Sequence, residues 1–385
     1  MAVETYDCIV IGGGAIGLAV AYEMSKRAAS VAVIDASLAE HQASWAAAGI
    51  VPPADREQAH DAWQRLVARG HELHPVWANE LQEATGINVE YTRCGAVHFA
   101  RTPGEAAALR ASCRQWSEDG VAVESLEPAS LFERVPPFSR SFLDADAWCA
   151  FWVASESRLR PPRFLQALKE ACRTNGVTFV DSSVTDWTIT NSRATAVTTA
   201  RGSWAADRFC LTTGAWTGLS LERLGVRIEM KPWRGQMALL RATNGGQLGP
   251  VLNEGPNYIV PRSDGRAVVG STVEDVGFET GTTTEAIESL VEFARATLPG
   301  MRFEVESTWS GLRPGTGDGF PYLGFVPGIE NLFVAAGHFR SGISQSPATA
   351  ELVAAHLFAE GKEAGVRMAL PEVDLHAFRL ERESN

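Results

Sequence analysis

Residues Tyr6–Asp35, YDCIVIGGGAIGLAVAYEMSKRAASVAVID, set a short apolar run, a Gly-x-Gly-x-x-Gly turn, a helical segment, a second apolar run and a terminal acid in one unbroken order. Cys8 to Ile11 is apolar throughout, as a parallel strand buried on both faces should be. Gly12 allows the tight turn, Gly14 lets the backbone approach a pyrophosphate with no Cβ in the way, and Gly17 lets the helix lie close to the strand. The unpaired amides and positive dipole end of that helix suit phosphate oxygens. Val31 to Ile34 is the second strand. Asp35, 18 residues after Gly17, is placed to accept hydrogen bonds from ribose hydroxyls and disfavours a 2′-phosphate. The unit therefore reads as a dinucleotide site in which NADP is disfavoured.

At 385 residues the chain is long for one core, and about two domains are expected. A hydrophobic content of 45% with 21% charged residues describes a globular protein. The net charge of −12 and the lack of any Lys/Arg cluster argue against nucleic acid and anionic membrane partners. Six scattered cysteines without a C-x-x-C pair suggest neither a disulfide framework nor zinc, so a reducing, cytoplasmic setting is expected. The longest apolar run, Ile9 to Tyr22, falls short of the roughly 20 residues of a membrane span. The start, MAVETYD, lacks the cationic region of a secretory signal, and the mature chain is expected to begin at residue 1.

Further along, Ala43 to Val51 is rich in small residues, which lets backbone lie against a flat ligand, although an Ala-rich helix start reads the same way. A helix is expected over 55–85 and a pair of strands over 87–100 around Cys94-Gly95. A helix at Pro162–Thr174, strands near 177–180 and 194–199, and the apolar strand ending at Gly214 return to the style of the N-terminus. Strands dominate again from Val226 to Met301, with an Asp264-Gly265 hairpin turn and a helix at Glu285–Thr297. The segment NLFVAAGHFRSGISQSPATAELVAAHLFA repeats the strand, turn and helix theme, with Pro347 in the helix's first turn. The expected fold is α/β: a discontinuous Rossmann-like domain from 1–85, 150–222 and 305–385, and a β-rich α+β domain from 86–149 and 223–304.

These motifs, with SWAAAG, LTTGAWTG, NYIVPRSDGRAVVG, GLRPGTGDGFPYLG, AAGHFRSGISQSPAT and the terminal LHAFRLER, run over essentially the whole chain. Together they resemble the D-amino-acid oxidase family of flavoproteins, and within it most closely the glycine oxidases. The resemblance implies non-covalent FAD, since no cysteine follows Cys210 for a C-terminal attachment. It implies oxidation of an amine beside a carboxylate to an imine with hydrogen peroxide from O2, on glycine, sarcosine or D-alanine, with the product feeding thiamine thiazole synthesis. It implies a homo-oligomer, a tetramer by analogy. D-amino-acid or N-methyl-amino-acid oxidases, dehydrogenases with another acceptor, a non-catalytic flavoprotein subunit and a nicotinamide dehydrogenase are the alternatives.

The residues expected to hold FAD are Gly12, Gly14, Ala15, Ile16 and Gly17 in the turn, and Asp35 and Ala36 after the second strand. Ala43, Ser44, Ala48, Gly49 and Ile50 join them from the small-residue segment, with Val184, Gly214 and the loop Gly337, His338, Phe339, Arg340, Ser341, Gly342, Ile343 and Ser344. A guanidinium grips a carboxylate through two parallel charge-assisted bonds. Arg313 and Arg340, each in a glycine-flanked loop, suit that task, and the resemblance implies that both arginines and Tyr258 meet the substrate carboxylate, with Ile50 where substrate and flavin approach. His338 is expected against the flavin rather than as a base. His71 and His74 read as a solvated helix face, and no metal is expected. Arg158 and Arg160 are basic where relatives tend to be acidic or neutral, and Trp45, Trp216, Trp233 and Trp309 read as packing residues.

Overall fold

The computed structural model describes residues 5–27, 29–36, 43–144, 147–245, 248–358 and 373–382. The expected chain start therefore lies partly outside the described residues. In the first unit β1 (Thr5–Ile11), α1 (Ala15–Ser25) and β2 (Val31–Asp35) follow the order read from the glycine turn. There follow α2 (Ala43–Ala46), β3 (Ile50–Val51), the long α3 (Ala62–Thr85), β4 (Ala96–Ala100), α4 (Pro103–Glu118), β5 (Glu124–Ser125), α5 (Pro128–Arg134), β6 (Cys149–Val153) and β7 (Ser157–Arg158). Next are α6 (Pro161–Thr174), β8 (Thr178–Asp181), β9 (Val184–Thr190), β10 (Arg193–Thr199), β11 (Gly202–Leu211) and α7 (Thr217–Glu222). The chain ends with β12 (Met230–Ala242), β13 (Val251–Glu254), β14 (Asn257–Pro261), β15 (Arg266–Gly270), α8 (Thr284–Thr297), β16 (Phe303–Thr316), β17 (Tyr322–Phe325), β18 (Leu332–Ala336) and α9 (Gly342–Leu357).

Two sheets divide the strands. The first runs β17-β18-β11-β1-β2-β8, with β18, β11, β1, β2 and β8 parallel and the hairpin β9–β10 hung on β11. Alternation along β1 sorts its faces. Cys8 and Val10 meet α1, α3, α6 and α9 in one core, whereas Ile9 and Ile11 pack with Ala194, Val197 and Trp187 of the hairpin in another. The second sheet runs β16-β12-β15-β14-β13-β4-β6-β5, antiparallel except for β13 beside β4. One of its faces buries Val97, Phe99, Leu252 and Val269 under α5 and α8. The other turns Met237, Val260 and Trp309 toward Ala46 and Ala48, which is where the two sheets meet. β16 runs through residue 305 within this second sheet.

Three expectations are corrected. Residues 87–95 form no strand pair: Glu90 and Gly95 both take positive φ (+58° and +67°), and only the bridge Thr92–Arg158 forms before β4. A Cβ at Gly95 would stand 2.1 Å from the Trp152 ring, so the kink is packed in place. The last helix starts at Gly342, ahead of the expected first turn at Pro347. Pro347 has no N–H to give the Ile343 carbonyl, which instead accepts from the Ser346 hydroxyl (2.9 Å) and contacts His74 Nε2 at 3.0 Å. His74 is therefore 1% exposed and lies in the core, not on a solvated face. No helix among the described residues is long and apolar enough to cross a membrane.

Candidate functional site

A cleft of about 660 Å³ opens outside the carboxyl ends of the parallel strands, where open α/β sheets bind ligands. Its floor is the turn after β1. Gly12 holds φ +112°, and a Cβ there would lie 2.5 Å from the Thr212 carbonyl oxygen. A Cβ on Gly17 would lie 1.8 Å from the Gly12 carbonyl, so α1 can sit this close to β1 only with glycine at that position. Thr212 closes the turn from β11, its hydroxyl donating to the Ile11 and Gly12 carbonyls, both at 3.0 Å. Asp35 Oδ2 accepts the Gly13 amide at 2.6 Å, and Ser44 Oγ accepts the Ala15 amide at 2.9 Å. The acid and the serine thus frame the helix start from two sides.

The far end of the cleft is the loop between β18 and α9. Phe339 takes a left-handed φ of +46°, a costly conformation for a bulky residue, and its amide donates to the Pro314 carbonyl at 3.0 Å, tying the loop to β16. His338 is 5% exposed, with Nε2 3.0 Å from Thr349 Oγ1, and burial pushes it down to about 3. Burial thus disfavours its charged form, which argues against a general base that cycles through that form. Arg340 is exposed at this end.

Of the expected cofactor residues, Gly12, Gly14, Ala15, Ile16, Asp35, Ala36, Ala43, Ser44, Val184, Gly214, Gly337, His338, Phe339, Arg340, Gly342 and Ile343 line the cleft. Gly17, Ala48, Gly49, Ile50, Ser341 and Ser344 do not. Sequence reading missed Ser182, Ser183 and Thr213, although each follows the carboxyl end of a parallel strand, β8 or β11, and the strand-end rule points to them. It also missed Arg223 and misjudged Trp216, which is 46% exposed at the cleft and stacks near Phe278 rather than packing inside.

Arg313 lies within β16 rather than in the expected loop; it feels the charge of Arg340 on the β18–α9 loop and the hydroxyl of Tyr258 on β14, and of these three only Arg340 lines the cleft. The Arg313 guanidinium lies flat where a Gly235 Cβ would be, 2.2 Å from either Nη. Its Nη1 donates to the Thr272 carbonyl (3.0 Å) and its Nη2 to Ser271 Oγ (2.7 Å). Desolvation holds its pKa below the usual arginine value, with Tyr258 acting in the opposite sense. Tyr258 stands opposite Gly270, and its hydroxyl is 3.2 Å from Met237 Sδ. Ile50 packs against the cluster that holds Met237 and Trp309, and Tyr258 packs there too. Among the described residues no group of three or more His, Cys, Asp or Glu could hold a metal.

The small-residue segment between the sheets is pinned by the second sheet. Trp309 Nε1 donates to the Ala46 carbonyl (3.0 Å), and buried Arg262 donates to the carbonyls of Ala48 (2.7 Å) and Leu159 (3.0 Å).

Comparison with known proteins agrees with this geometry. The model of the family described as FAD dependent oxidoreductase (DAO) matches residues 7–356. Glycine oxidase of Pseudomonas putida is 32% identical over 347 residues, covering 89% of this chain and 92% of that protein. The bifunctional protein ThiO/ThiG of Nostoc sp. is 32% identical over 356 residues, 91% of this chain and 52% of that longer protein. The crystal structure of glycine oxidase from Geobacillus kaustophilus superposes with a TM-score of 0.89 at 29% identity, covering 99% of this chain and 100% of that one.

The residues present fit the cofactor that the family name carries. The cleft's size lies in the range of about 300–1,000 Å³ usual for such ligands, and Gly12 and Gly17 let α1 pack closely enough on the turn after β1 to bring its N-terminus to the cleft, as phosphate binding requires. With the glycine turn and acid at one end of a single cleft and the glycine-flanked loop at the other, over a match spanning residues 7–356, the chain belongs to the FAD-dependent oxidoreductase family of the D-amino-acid oxidase type.

Proposed function

We propose that the chain oxidises glycine and small primary or secondary amino acids such as sarcosine and D-alanine, giving the imine or 2-oxo acid with hydrogen peroxide from O2. The observation that supports this reading is that Arg313 lies within electrostatic reach of both Tyr258 and Arg340, the last of which lines the loop end of the cleft. Bound FAD supplies the two-electron acceptor. Arg313 is held by two bonds to the segment just after β15, so its remaining N–H groups are free to meet a carboxylate, and Arg340 adds a second cation. Tyr258 donates its hydroxyl to the same carboxylate, and Ile50 bounds the pocket beside it. An amine entering unprotonated then needs no acid or base from the protein, in keeping with the neutral, buried His338. Gly342 and Ile343, at the start of α9, line the cleft, so the positive end of that helix's dipole lies beside it.

The same reading takes residues 1–85, 150–222 and 305–385 as the FAD-binding unit and 86–149 and 223–304 as the substrate unit. It places the protein in the cytoplasm as a homo-oligomer whose product feeds thiamine thiazole synthesis. The similarity to a bifunctional ThiO/ThiG protein supports the last point.

The test is anaerobic flavin reduction, followed by peroxide release in air, across glycine, sarcosine and D-alanine. Wild type reduces its flavin with at least one of them and is reoxidised by air. Arg313→Ala keeps its FAD but loses about tenfold to a few hundredfold in kcat/KM, as the loss of one charged hydrogen-bonding partner requires. Unchanged turnover in that variant, or flavin that no amine reduces, would sink the assignment.

A further inference from the structure

Arg158 is 7% exposed, and its Nε is sealed from solvent with no acceptor. The nearest acid along the strand is committed elsewhere: Glu156 spends its two oxygens on His98 Nε2 (3.0 Å) and Asn253 Nδ2 (3.0 Å). Arg262, close enough to feel the Arg158 charge, is satisfied by the carbonyls of Leu159 and Ala48. Arg160 pairs with Glu90 and Asp264. Among the described residues Arg158 alone of these three arginines forms neither an ion pair nor a hydrogen bond to oxygen. Burying an uncompensated guanidinium is expensive, and such a group persists where an anion completes it.

The surroundings say which anion. Arg158 is the register partner of Ile50 in the antiparallel β3–β7 pair, so the two side chains stand together on one face. Ile50 packs on the cluster that also seats Tyr258, and so does Cys94, whose thiol lies beside Arg158. Arg158 therefore lies across Ile50 from the residues proposed to hold the substrate carboxylate.

We propose that Arg158 binds a second carboxylate of the substrate, and that this enzyme favours amino acids with two acidic groups over their monocarboxylate counterparts. This inference rests on the amino-acid oxidase reading above and narrows its substrate class. Arg313 and Arg340 hold the carboxylate next to the reacting carbon, while Arg158 takes the distal one. As a specificity residue, Arg158 leaves the oxidation of a monocarboxylate untouched.

The test uses the FAD-loaded enzyme and two matched pairs, D-aspartate against D-alanine and iminodiacetate against sarcosine. Wild type is expected to show a kcat/KM at least about tenfold higher for the diacid of one pair. Arg158→Gln should lose about tenfold to a hundredfold on that diacid while its monocarboxylate partner changes less than about threefold; Arg158→Lys should keep part of the advantage. A binding arm separates this inference from the oxidase reading: the Kd of unreactive diglycolate against methoxyacetate, followed by the flavin absorbance change. Wild type should bind diglycolate about tenfold more tightly, and Arg158→Gln should not, whether or not any amine reduces the flavin. A wild type with no diacid advantage in turnover or binding overturns the proposal even if the variants fail to fold. So does an Arg158→Gln enzyme that loses equally on both members of a pair.

Discussion

At the scale of single residues, two buried histidines make stability depend on pH in a direction fixed by their surroundings. Desolvation lowers His338 to about 3 and His74 to about 4, against 6.5 when exposed. Both imidazoles stay neutral in the folded chain, while the unfolded chain takes up a proton on each as pH falls through about 6.5. The unfolded state then binds more protons, and stability present above that pH is lost on acidification. The unfolding free energy from urea titrations between about pH 6 and 4 should fall with a slope approaching about 1.4 kcal/mol per pH unit for each histidine. His74→Gln keeps a donor for the Ile343 carbonyl, which His74 Nε2 meets at 3.0 Å, and should remove one proton's share of that slope. An unchanged slope would mean that His74 titrates normally in the folded state.

At the scale of elements, the segment from Ala43 to Val51 contributes only a one-turn helix and a two-residue strand, yet both sheets hold it. Ser44 bonds α1 from one side, while Trp309 and Arg262 bond it from the other, and a Cβ on Gly311 would come within 2.7 Å of the Ala46 Cβ. Arg262→Met fills similar volume but leaves the Ala48 and Leu159 carbonyls buried without donors. It should cost about 2–5 kcal/mol and lower the flavin content of the purified protein. A Tm and flavin content equal to wild type would show that the clamp is dispensable. The composition of this segment was legible in the sequence, but its anchors were not, because Arg262 and Trp309 lie more than two hundred residues away. The same physics divides the other elements. β1, α1 and β2 could be read because buried parallel strands and a glycine turn leave a local signature. α4 went unread because only Ala106 and Cys113 are buried on it, too few for an apolar stripe, although the Thr102-x-x-Glu105 capping box announces its start. The glycines of the turn and the proposed substrate-side residues Tyr258, Arg313 and Arg340 were visible as motifs. Ser182 and Ser183 were not, since they matter only through where β8 ends.

At the scale of the molecule, the cleft is walled by both sheets. Gly12, Asp35 and Gly337 come from the first, and Leu312 and Pro314 from β16 of the second. A ligand there contacts both halves, and the Phe339 amide bond to the Pro314 carbonyl couples them even without it. Binding that favours only the folded state stabilises by mass action, about 2.7 kcal/mol at a free ligand concentration of 100 times Kd. If the sheets behave as one cooperative body, that gain must appear in both. Stripping FAD and adding it back should therefore raise a single unfolding transition and slow amide exchange together at residues 10–17 and at 310–316. Slowing confined to 10–17, with a second transition unmoved by FAD, would mean that the second sheet folds independently and merely leans on the cofactor. Tyr258 and Arg313, proposed to meet the substrate, would then be set in place without help from FAD.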